Sequence, residues 1–237
     1  MRALHLLFFS VFSLLMIACE TVVKKNVSPT EIIAKQTADD HSYANCKEIH
    51  TKHLHLELDV NFENQTIYGV ARHEMINNGT DTAIFDIKGL EIQKITLGQK
   101  GNEKEASFMI GKWDKDSILG QPLLVTIKRT TNYINIYYKT TELTQAIDWL
   151  SPSLTSGKVH PFMYTQGQAI LTRTWIPLQD TPANRITYSA DVKVPTDLMA
   201  VMSAKNPHHK TKDGNYHFEM KQAIPCYLIA LAVGDLS

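Results

Sequence analysis

The chain has 237 residues, 43% hydrophobic and 20% charged, with Lys+Arg and Asp+Glu at 24 each. That composition excludes a disordered chain, and the length suffices for one large domain or two small ones with a buried core. The even charge balance offers neither a basic surface nor an acidic tail, which sets nucleic-acid binding aside.

The first residues, MRALHLLFFSVFSLLMIAC, have a short basic start, an apolar run and a small residue before Cys19. That layout predicts a secretory signal over residues 1–18 rather than part of a fold. The ending Met16-Ile17-Ala18-Cys19 is similar to a bacterial lipobox, which implies that Cys19 is lipidated and becomes the new N-terminus. A plain cleaved signal or a retained anchor is the simpler alternative. The lipobox reading makes the protein an exported bacterial lipoprotein of the cell envelope, on the periplasmic face or outer membrane and held to the membrane through lipid. Residues 19–44 are polar without periodicity and are expected to form a tether. Two further cysteines, Cys46 and Cys226, could pair in an exported chain. The apolar run IPCYLIALAV around Cys226 reads more simply as housing a buried free thiol.

From residue 45 to 237 the pattern is that of strands. HLHLELDV alternates, with His53, His55, Glu57 and Asp59 on one side and Leu54, Leu56, Leu58 and Val60 on the other. Period two predicts a half-buried strand. TIYGVARHEMI follows with Ile67, Gly69, Ala71, His73 and Met75 in one phase, and TAIFDIKGLEIQKITLG reads as two short strands. QPLLVTIKRT and NYINIYYKT are expected to form a hairpin. QAILTRTWI, RITYSADVKV, LMAVMSA, YHFEMK and CYLIALAV are further strand candidates, with no long helical period between them. The expected fold is all-β, a sandwich or a large curved sheet.

Local motifs supply no complete catalytic set. His53 and His55 would lie about 7 Å apart on one strand face, but Glu57 and Asp59 continue that face, and a solvated strand surface accounts for all four. His73-Glu74-Met75-Ile76-Asn77 is a near miss to H-E-x-x-H. It lacks the second histidine and sits in a strand, where its ends would be more than about 13 Å apart. His208 and His209 lie in a polar turn. Ser151, Ser153 and Ser156 have no G-x-S-x-G elbow around them. No metal ligands are assigned.

One region is more particular. It holds Trp149-Leu150, Ser151-Pro152, Ser156-Gly157-Lys158, His160-Pro161-Phe162, Gln166-Gly167-Gln168-Ala169, Arg173 and Gln179-Asp180-Thr181-Pro182. Tyr188, Val192-Lys193-Val194-Pro195, Leu198-Met199-Ala200, Met202-Ser203-Ala204 and Ile224 to Ala230 follow in order. This series resembles the N-terminal domain of M1 zinc aminopeptidases, nearest the leukotriene A4 hydrolase branch, over roughly residues 45–237.

The resemblance implies a saddle-like, multi-sheet β domain set over a separate thermolysin-like zinc domain. It implies that Gln166, Gly167, Gln168 and Ala169 form a loop that contacts the N-terminus of a peptide substrate. An amide side chain both donates and accepts without ionising, which suits that task. Ala169 would leave room for a substrate side chain, and Gly167 stands where the nearest branch has cysteine, which would make the loop more permissive. The family's zinc motif is expected beyond Ser237. On this reading no catalytic residue and no cofactor belongs to this chain, and zinc belongs to the complete enzyme, here truncated or split. The alternative is a non-catalytic β-rich lipoprotein that binds peptides or a protein partner.

Overall fold

The computed structural model describes residues 39–236. The expected signal, most of the expected tether and Cys19 lie outside them. Among the described residues fourteen strands form three sheets, with three single-turn 3₁₀ segments at 152–154, 172–174 and 226–228.

The largest sheet is built on β1 (Ile49–Asn61) and β2 (Thr66–Asn77), joined by a tight turn in which Gln65 takes a positive φ of 51°. The expected alternation holds. Leu54, Leu56, Leu58 and Val60 of β1 are at most 3% exposed, and Ile67, Ala71, His73 and Met75 of β2 share the buried phase. Sheet order is β13 (Asn215–Pro225), β11 (Arg185–Lys193), β1, β2, β8 (Tyr133–Thr140), β4 (Leu90–Leu97), β5 (Lys104–Glu105). Its β1–β11 pairing is parallel and joins the two halves of the chain, with His53 opposite Thr187 and Asp59 opposite Lys193.

β3 (Thr82–Ile87), β7 (Gln121–Thr126) and β6 (Phe108–Ile110) form a three-stranded sheet in that order. β12 (Met199–Met202), β14 (Leu231–Gly234), β10 (Phe162–Thr165) and β9 (Ile147–Leu150) form a four-stranded one. The inner faces of all three sheets close one hydrophobic core, including Phe85, Leu123, Tyr138, Met163, Trp175, Tyr188, Phe218 and Val233.

Three expectations change. β7 and β8 are not a hairpin: β7 pairs with β3 and β6, and β8 with β2 and β4. Both runs are apolar and β-branched, so local composition cannot tell which sheet each joins. The segment from Ile170 to Ile176 is not a strand but a turn leading into the 3₁₀ segment Thr172–Thr174. Residues 39–44, assigned to the tether, pack on the domain, because their polar groups complete a buried network described below. Cys46 and Cys226 are both free thiols.

Candidate functional site

The segment 162–182 changes character halfway. Phe162–Thr165 is β10, paired with β9 on one side and β14 on the other. The chain then leaves the sheet. Gln166 N donates to Ala146 O (2.8 Å), Gln168 N donates to Gln166 Oε1 (2.9 Å), and Leu171 N donates to Gly167 O (2.9 Å). The Gln168–Ala169 peptide is cis. Gln166, Gln168 and Ala169 are exposed, while Gly167 is buried.

Gly167 therefore does something other than loosen the loop. Its φ is not in the left-handed region, and a Cβ added there would lie 2.5 Å from Thr172 Oγ1 and 3.0 Å from Tyr227 O. Glycine is required by close approach of the loop to its own support. Of the four expected contact residues, three reach the surface and the fourth is the point at which the loop is pressed down.

Beneath the loop the chain buries its charges. Arg173 is 0% exposed. Its Nε donates to Asp180 Oδ2 (3.0 Å), Nη1 to Leu119 O (2.9 Å), and Nη2 to His41 O (2.7 Å) and Asp180 O (3.0 Å). Asp86 Oδ1 lies 3.7 Å from Nη1. Asp86 in turn accepts from Ser42 Oγ (2.6 Å), Tyr43 N (2.7 Å) and Asp180 N (2.9 Å). Burial pushes the Asp86 carboxyl up, opposed by the Arg173 charge and by these donors. Burial also pulls the guanidinium down, but Asp86 and Asp180 outweigh it and hold Arg173 above its ordinary value. The Cys226 thiol donates to Asp180 Oδ1 (3.0 Å), and burial beside that carboxylate keeps the thiol protonated. An ion pair fully removed from water persists only when its remaining donors and acceptors are met, and here the N-terminal arm supplies several of them.

A second buried group flanks the first. Gln179 Nε2 donates to Ile49 O (2.9 Å) while its Oε1 accepts from Thr51 N (2.9 Å). His73 bridges Thr51 Oγ1 (3.0 Å, Nδ1) and Pro177 O (3.1 Å, Nε2). A carbonyl can only accept, so Nε2 carries the proton and Nδ1 accepts from the Thr51 hydroxyl. Burial lowers His73 to about 4, so the ring is neutral. Thus Arg173 and Gln179-Asp180-Thr181 are the loop's foundation, and none of them meets solvent.

Sequence reasoning missed two neighbours of the loop. Tyr164 of β10 is 37% exposed, and Leu228, next to the Tyr227 backbone that presses on Gly167, is 47% exposed. Tyr164 was legible as the outward position of an alternating strand, whereas Leu228 lay hidden in an apolar run.

The other candidates do not converge. His53 and His55 share Ser189 Oγ (3.0 and 2.9 Å), and Glu57 is bound by Arg72 (2.9 Å) and Lys100 (2.6 Å) on the outer face of the large sheet. Burial raises the Glu57 carboxyl, but the hydrogen bonds from Arg72 and Lys100 outweigh it and hold it at about 2. Glu74 of the near-miss motif pairs with Lys52 (2.7 Å). His208 and His209 are exposed, and Ser151 bonds Ser153 (2.8 Å). Among the described residues no group of three His, Cys, Asp or Glu could hold a metal ion, so these residues do not fit a zinc site.

The chain matches the Peptidase M1 N-terminal domain over residues 50–228. It is 35% identical to leukotriene A-4 hydrolase of Xenopus laevis over 211 residues, covering 84% of this chain and 34% of that protein. It is 34% identical to aminopeptidase B of Rattus norvegicus over 221 residues, covering 85% and 34%. Among solved structures, native leukotriene A4 hydrolase from Saccharomyces cerevisiae superposes with a TM-score of 0.74 at 27% identity, covering 89% of this chain and 34% of that one. An M1 zinc metallopeptidase from Deinococcus radiodurans shares the fold at a TM-score of 0.60 and 19% identity, covering 79% and 42%. The chain spans about a third of the length of the curated relatives it matches.

Proposed function

Since the chain belongs to the M1 peptidase family through its N-terminal domain, we propose that it is the substrate-cleft domain of a zinc-dependent aminopeptidase that removes N-terminal residues from peptides. Gln166, Gln168 and Ala169 form the contact surface, and Gly167 sets its height. Zinc and the groups that activate water belong, on this reading, to a catalytic domain outside the described residues. Cys19 carries the lipid that holds the assembly to the cell envelope.

The observation that carries the proposal is the contrast within 166–180. Two uncharged amides and a methyl group are exposed, while every charged group just behind them is buried and hydrogen-bonded. With Gln166 Oε1 taken by Gln168 N, the Nε2 protons of Gln166 are left for an acceptor such as a peptide carbonyl. The Gln168 amide offers both a donor and an acceptor. Such a surface can hold a peptide backbone across a wide pH range.

The test is isolation of the chain from its native membranes under mild conditions. Zinc-dependent hydrolysis of an aminoacyl-arylamide should accompany it together with a zinc-bearing polypeptide, and should be missing from the chain purified alone. Zinc-dependent hydrolysis by the chain alone would overturn the proposal. Peptide capture with no zinc-bearing companion would favour the non-catalytic lipoprotein.

A further inference from the structure

The three-stranded sheet carries an exposed apolar surface. Phe108, Met109 and Ile110, the whole of β6, are 36, 45 and 39% exposed, and Trp113 and Ile118 in the following loop are 42 and 56% exposed. Five large apolar side chains within eleven residues are more than scattered surface hydrophobics. Exposed Lys112, Lys115 and Asp116 are interspersed with them. Asp114, in the middle of the loop, turns inward instead, accepting from Ile118 N and Gly120 N (both 2.9 Å). That fold-back fixes the loop that displays Trp113 and Ile118.

The place of this loop relative to the chain's entry is fixed by one side chain. Arg173 donates to Leu119 O through Nη1 and to His41 O through Nη2. The N-terminal arm therefore enters the domain beside the Asp114–Gly120 loop, one guanidinium width away. Residues 20–38, between Cys19 and the arm, can span at most about 65 Å. A lipid on Cys19 would tie the domain to the bilayer at the edge where the apolar loop stands.

We propose that Phe108–Ile110, Trp113 and Ile118 dock on the lipid surface to which Cys19 anchors the chain, so that the domain lies against the bilayer rather than hanging from it. This rests on the lipoprotein reading of the N-terminus and is independent of the peptide-cleft reading. Tryptophan with aliphatic neighbours is suited to the membrane interface, and lysines can reach headgroups while their stems cover apolar surface. A second anchoring element strengthens the hold of a lipid chain. Addition of a partner strand fits less well, since β6 is only three residues long and runs directly into Gly111 and Lys112.

The test uses the full-length lipidated chain reconstituted in vesicles of three parts phosphatidylcholine to one part phosphatidylglycerol, with the phosphatidylcholine either plain or brominated on its acyl chains. Of the three tryptophans, Trp175 is fully buried and Trp149 is packed edge-on against Phe62, so bromine should quench Trp113. Brominated vesicles should dim the emission by one tryptophan's share. Trp113→Phe should abolish that loss, and Ile118→Asp should cut it at least twofold with far-UV dichroism unchanged. Equal emission in the two vesicle types would overturn the proposal. So would quenching that survives Trp113→Phe, failure of the chain to associate with the vesicles, or a patch that forms protein cross-links in place of lipid contact.

Discussion

Acidification should destabilise this domain through His73 in a defined window. The ring is 1% exposed, bonded to Thr51 and Pro177, and lowered to about 4 by burial, against 6.5 for a free histidine. Between those values the unfolded chain binds a proton that the folded chain does not. Stability therefore rises with pH across the window and falls as pH drops from about 6.5 toward 4, with little change above neutrality. At about 1.4 kcal/mol per pH unit the full gap is worth about 3 kcal/mol, of which about 2.5 kcal/mol is lost by pH 4.5. That is a large share of a typical domain's 5–15 kcal/mol, roughly stated. Burial also lowers His53 and His55, so they add a slope of the same sign, and a single curve cannot assign the effect. Urea unfolding at pH 7 and pH 4.5 should therefore be run on the wild type and on His73→Gln. The variant should be weaker at pH 7 but lose about 2.5 kcal/mol less on acidification. Equal losses in the two proteins would refute the assignment.

Two further substitutions test the loop's foundation. Arg173→Met strands two buried carboxylates and should cost about 3–5 kcal/mol in urea unfolding, whereas a cost under about 1 kcal/mol would mean the network is not holding the fold. Gly167→Ala places a methyl group 2.5 Å from Thr172 Oγ1 and should cost about 1–3 kcal/mol. Adding Thr172→Ala should recover part of that loss in a double-mutant cycle, because removing the hydroxyl leaves only the Tyr227 backbone in the way.

The sequence was most legible where one physical rule governed. Alternation at Leu54 to Val60 marked a strand because one face of β1 meets the core and the other meets water. It was least legible where distant groups decide. The β1–β11 pairing joins residues more than a hundred positions apart, and His53 finds Thr187 at a separation of 134. Nothing local to either run records that. The Ile170–Ile176 segment has the β-branched composition of a strand. It coils instead because Thr174 Oγ1 bonds Leu171 O (2.7 Å) and Arg173 must reach Asp180, His41 and Leu119 at once. The ordered motifs around Gln166 pointed to the right family. They did not separate the residues that face outward from Gly167, Arg173 and Asp180, which hold those residues up. Identity along the chain carries no burial, and a charged pair reads as surface until its partners are seen.

The central claim is that Gln168 stands on the wall of a peptide cleft and contributes to binding rather than to folding. It is tested most directly by Gln168→Ala, made in the assembly or longer protein that carries the zinc-dependent activity. Hydrolysis of an aminoacyl-arylamide should fall about twofold to tenfold in kcat/KM, the worth of one hydrogen bond to a peptide backbone. Stability should stay within about 0.5 kcal/mol of wild type, as expected for an exposed side chain. Unchanged kcat/KM would contradict the claim, as would a loss of activity that merely follows a loss of stability.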